Sequence, residues 1–158
     1  MKRTAPDRTR ASRQNHGINP DGTIIVGTRF DTTIAVYQHE IDQILGGGGQ
    51  GSTLGRGFPP GFGATDLYRY SGPNTPSSTT SSSATAFLSV DGGNTSIAGF
   101  NQGGIGDFGD FLAPPLGPCE IQSWQICFTP PPFTTASPEF QMLASIGYNP
   151  VPGPIVGA

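Results

Sequence analysis

Apolar residues recur with helical spacing in only two stretches of the chain. In the first, Ile34, Tyr37, Ile41, Ile44 and Leu45 fall within roughly 100° of one another when residues are set about 100° apart. This predicts a helix over residues 34–45 with that stripe in the core. Thr32 and Thr33 stand at its start as N-cap candidates beside Asp31, and Gly46-Gly47-Gly48-Gly49 ends it. His39 and Gln43 lie about 40° apart on the opposite side, so the face presenting them, with Gly46, is expected to point away from the core. In the second stretch, Phe140, Leu143 and Ile146 predict a short helix over residues 139–146, opened by Ser137-Pro138 and stopped by Gly147.

Between these stretches the pattern is one of short strands and turns. Residues 21–30 read as a turn leading into a strand, and residues 66–70 as a short extended element. Residues 86–90 form a strand ending at Asp91-Gly92-Gly93, with residues 95–100 returning as its hairpin partner. Residues 46–63 are a glycine-rich loop. They are not a phosphate-binding loop, because no Gly-Lys-Ser/Thr follows and the loop leaves a helix instead of entering one. The Ser/Thr/Pro tract at 71–85 is an exposed loop, and residues 101–135 are loop as well. The expected organisation is a disordered basic arm over 1–20, one domain over 21–148 and a tail over 149–158.

Composition narrows the fold class. Of 158 residues, 40 are Gly or Pro, which excludes a helix bundle or coiled coil. Ile, Leu, Val and Phe make up 34 residues, and the net charge is only -3, so a loop-rich domain with a thin core fits better than disorder. Residues 1–13 carry a net charge of +4 and the remainder -7. The arm lacks aromatic residues and leads into an acidic body, so no nucleic-acid partner is expected. No apolar run approaches the roughly 20 residues of a membrane span, and the N-terminus lacks the apolar stretch of an export signal. The only two cysteines, Cys119 and Cys127, are close enough to close a short loop as a disulfide, which would imply an oxidising compartment. Two unrelated buried thiols are the alternative.

One constellation carries chemistry. His39, Glu40, Gln43 and Gly46 occupy the positions of a zinc-protease helix, in which two ligands one turn apart hold the metal and the Glu after the first polarises water. In the extended pattern His-Glu-x-x-His-x-x-Gly-x-x-His, His39, Glu40 and Gly46 match, whereas Gln43 and Gly49 stand where the second and third His belong. Other segments follow in order: Asp-Gly-Thr-Ile at 21–24, Asp-Leu-Tyr-Arg-Tyr-Ser at 66–71 and Leu-Ser-Val-Asp-Gly-Gly-Asn-Thr at 88–95. Gly-Asp-Phe-Gly-Asp-Phe at 106–111 and Pro-Glu-Phe-Gln-Met-Leu-Ala-Ser-Ile-Gly-Tyr at 138–148 complete the set.

Together these segments resemble bacterial exported metalloprotease-like proteins related to the metzincins, over roughly residues 20–150. The resemblance implies an α+β, metzincin-like domain preceded by an N-terminal half, with the segment around Met142 and Tyr148 packed under a zinc site. It implies export to the extracellular space or cell surface, a protein or peptide substrate, and Glu40 as general base on zinc-bound water. Residues 151–158 look like the start of a sorting tail of the PEP-CTERM type, so the chain reads as a truncated member. It also departs from the family pattern. Gln is a poor zinc ligand beside His, and a tight site needs further donors, for which Asp42, Asp66 and His16 are the candidates. Asp107 and Asp110 read as a tight turn before a calcium repeat, because only one copy is present. Asp66 and Arg69 read as a surface or structural ion pair. Two functions follow: a degenerate secreted zinc metallopeptidase, or a non-catalytic exported binding or display domain on a protease-derived fold.

Overall fold

The structure is a computed structural model that describes residues 23–25, 34–47, 54, 63–103, 106–127 and 129–149. The expected N-terminal arm, His16, the Thr32-Thr33 cap, Gly49 and the tail after residue 149 lie outside the described residues. So does most of the first expected strand, of which residues 23–25 form no regular element.

The fold is α+β: among the described residues, two helices and a small antiparallel sheet. Helix α1 spans Ile34–Ile44, and helix α2 spans Pro138–Ser145. The strands are β1 (Arg69–Gly72), β2 (Thr75–Pro76), β3 (Phe87–Leu88) and β4 (Ala98–Gly99). Each pairs antiparallel with its neighbour in the order β2-β1-β3-β4. Residues 66–70, expected to be extended throughout, instead divide into a tight 3-10 turn at Thr65–Tyr68 and the start of β1. The strand expected over 86–90 pairs only at Phe87 and Leu88, because the Asp91 turn already bends the chain there. Ser89 Oγ donates to Asp91, and Asp91 accepts from both the backbone and the hydroxyl of Thr95. Gly93, at φ +88, lies so close to the Gly72 carbonyl that a side chain has no room.

Ala86, Leu88, Ala98, Phe100, Phe111 and Met142 form the core, with Tyr68 and Ile97 packed against it. Arg69 is buried among them. Its guanidinium lies 4.4 Å from the Phe100 ring and donates to the Phe108 carbonyl and the Gln102 side chain. Burial lowers its pKa to about 10, with neighbouring Asp66 acting in the other direction, so it stays charged at neutral pH.

Helix α2 follows the sequence logic. Ser137 sits extended before Pro138, whose fixed φ starts the helix, and Gly147 at φ +110 ends it. The residues it buries are Pro138, Glu139, Met142 and Leu143, a sector shifted toward Met142 from the expected Phe140-Leu143-Ile146 face. Helix α1 ends as expected at Gly46, φ +93, but its faces are reversed. Ile34 is 77% exposed and Ile41 49%, with Tyr37 and Ile44 also exposed, whereas Ala35, Val36 and Asp42 are buried. The inward face is the one that carries small residues and finds hydrogen-bond partners. That outweighs the width of the apolar stripe.

Candidate functional site

The inward face of α1 meets a loop closed by the Cys119–Cys127 disulfide, whose Cα atoms are 5.6 Å apart. Phe111 ties this loop to the sheet. Its N–H donates to the Gln122 carbonyl, its carbonyl accepts from the Trp124 N–H, and it bridges to Phe100 on its other side. The loop therefore stands on the core at one end and against α1 at the other.

His39 is where they join. Its Nδ1 donates to the Ile121 carbonyl at 2.9 Å, and its Nε2 accepts from the Gln43 amide at 2.8 Å. That pattern belongs to the neutral ring in the Nδ1–H tautomer. The Gln122 amide nitrogen lies 3.4 Å from the same Nε2 and donates to Asp110 at 3.0 Å. Gln122 also uses its backbone N–H to reach Glu139 Oε1 at 2.9 Å. One residue of the loop thus touches His39, Asp110 and Glu139.

The surroundings are acidic and buried. Asp42, Asp110 and Glu139 are all at least 95% buried, and both oxygens of Asp42, Glu139 Oε2 and Gln122 Oε1 have no hydrogen-bond partner. Burial first, then the charges of Glu139 and Asp110, raise the Asp42 pKa from 3.8 to about 8. Burial also raises Asp110 and Glu139, and in each a hydrogen bond from Gln122 acts the other way. Asp42 lies against the end of its own helix. A side chain at Gly47 would collide with both the Asp42 carboxylate and Met142, so glycine there lets α1 and α2 close on each other. Gly46 contributes its carbonyl to the Thr65 hydroxyl at 3.0 Å.

The expected site residues fare differently. His39 and Gln43 come together, but as hydrogen-bond partners. Glu40 is half-exposed beside them. Asp66 lies elsewhere, its carboxylate accepting from the Gly63 N–H. Met142 is fully buried under the end of α1. Sequence reasoning missed Gln122 and Glu139 as neighbours of His39, and it read Asp110 only as a turn residue. Nothing in the local sequence around Gln122 signals its role, which comes from the fold bringing the loop back across 83 residues.

Zinc at His39 would need Nε2 free and further donors beside it. Nε2 already accepts from Gln43, and among the described residues no group of three or more His, Cys, Asp or Glu side chains is suited to hold a metal ion. As arranged, these residues do not fit zinc. Among the described residues no helix is long and apolar enough to cross a membrane. No family model matches the chain, and neither a curated protein nor a solved structure matches it.

Proposed function

We propose that this chain is a non-catalytic, exported domain that carries a metalloprotease-like helix and serves in protein or peptide binding. The observation that carries this reading is the 2.8 Å hydrogen bond between the Gln43 amide and His39 Nε2, which puts an N–H group where a peptidase needs a metal. Such a centre holds elements together and does not polarise water. The disulfide supports an extracellular or cell-surface location, because such bonds persist in oxidising compartments. The exposed Ser/Thr tract at 78–83 and the outward apolar residues of α1 provide surface for contact with other proteins.

A second reading, a weakened zinc metallopeptidase with Glu40 as base, is favoured by one feature. A His that donates Nδ1–H to a carbonyl is oriented as metal-ligating imidazoles are. Metal content of the purified, dialysed protein separates the two. The binding reading expects no zinc in the parent and no peptide cleavage sensitive to chelator. About one equivalent of zinc, lost in His39→Ala, would overturn it and establish the second reading.

A further inference from the structure

We propose that the Cys119–Cys127 disulfide is a redox-sensitive lock on the His39 centre. This inference rests on the amide-held His39 described above and adds how that arrangement is maintained and released. The two cysteines bracket the residues that hold the centre. Ile121 supplies the carbonyl that fixes the imidazole, and Gln122 supplies the amide between His39 and Asp110 together with the N–H that reaches Glu139.

The other ties of the loop are hydrogen bonds concentrated on residues 120–124, away from its two cysteines. Ser123 Oγ reaches the Leu112 and Pro118 carbonyls at 3.3 and 3.4 Å, and two backbone hydrogen bonds run to Phe111. Those ties hold the middle of the loop to the sheet. The ends are held by the sulfur bridge, with Ile126 and Gln125 exposed beside it. A separation of eight residues makes the constraint local, so its loss falls first on the loop and on what the loop touches.

Access to the bridge is unequal. Cys127 is buried at 8% exposure, whereas Cys119 is half-exposed. A small dithiol would attack Cys119 Sγ through its thiolate and expel Cys127 as a thiolate. Its second thiol would then displace Cys119 and close its own disulfide. The protein gains two electrons and two protons, and the dithiol loses them. His39 would lose the Ile121 carbonyl, and Gln122 would withdraw from the gap between His39 and Asp110.

The full chain contains only two histidines, His16 and His39, so nitrogen-15 histidine spectra resolve the centre once a His16→Asn variant assigns the signals. In the oxidised protein His39 should show the Nδ1–H tautomer and react slowly with diethyl pyrocarbonate. After reduction by a dithiol, with both thiols alkylated and the far-ultraviolet circular dichroism unchanged, His39 should shift to the Nε2–H tautomer or a mixture. Its acylation should then speed up by roughly tenfold, as expected when local opening sets the rate. A Cys119→Ser/Cys127→Ser protein should reproduce the reduced behaviour without reductant. Unchanged His39 signals with both thiols alkylated would overturn the proposal. So would loss of the whole fold on reduction, because the bridge would then hold the domain and not the centre. Neither result depends on zinc content or cleavage, so the lock fails separately from the binding reading.

Discussion

The two helices meet the same core by opposite means. Helix α2 is seated by packing: Met142 and Leu143 are buried, and its acid, Glu139, has one oxygen satisfied by the Gln122 N–H. Helix α1 turns its isoleucines outward and is seated by polar contacts through His39, while its acid, Asp42, has neither oxygen satisfied. An apolar stripe therefore sets a helix face only when nothing on the opposite side has better partners. Here the contest was settled by a backbone carbonyl more than 80 residues away.

That contrast can be broken most forcefully at α2. Met142→Ala should cost about 2–5 kcal/mol, the usual range for truncating a fully buried side chain, measured by chemical denaturation. Next comes Asp42→Asn. The folded-state pKa of Asp42 lies above 3.8, so the native chain binds this proton more tightly than the unfolded chain. Stability should therefore fall as pH rises from about 4 through about 8 and level off above that. Asn removes that dependence. Allowing for its own unsatisfied amide, it should gain about 2–3 kcal/mol near pH 9 and nothing near pH 4, read from denaturation across pH. A flat pH profile in the parent would contradict the buried, unpaired state of Asp42.

His39→Ala should cost about 1–2 kcal/mol by removing the two hydrogen bonds that seat α1. The same denaturation experiment should show Gln43→Ala costing less, because His39 keeps its carbonyl. The smallest effect sharpens the comparison best. Ile34→Ser and Ile41→Ser should each change stability by less than about 0.5 kcal/mol, as exposed positions do. A loss comparable to Met142→Ala at either position would mean that α1 buries its apolar face after all.

Much of the framework was legible in the sequence because local chemistry writes it. Gly46 and Gly147 end both helices in left-handed conformations, Ser137-Pro138 opens α2, and the Asp91 turn joins the β3–β4 hairpin. The adjacency of His39 and Gln43 follows from one helical turn. What was not legible is everything that depends on distant pairing. The Gln122 amide reaches His39 and Asp110 because the loop is closed by the Cys119–Cys127 bridge and tied to Phe111 beside the sheet. Glu139 looked like an ordinary acid in the first turn of a helix, a position that favours negative charge wherever it points. The outward face of α1 was misjudged for a related reason: periodicity records where apolar residues cluster along a helix, not which neighbour each side will find.

The close approach of Gly93 to the Gly72 carbonyl bears on how this fold is sought in other sequences. A methyl group at position 93 would meet backbone, which cannot swing aside as a side chain does, and φ +88 already disfavours any residue with a Cβ. A sequence aligned to this one through Leu88 to Thr95 but carrying a larger residue at 93 must place its β1–β2 hairpin differently. Glycine at that single position is thus an inexpensive filter for candidates, applicable before any coordinates exist.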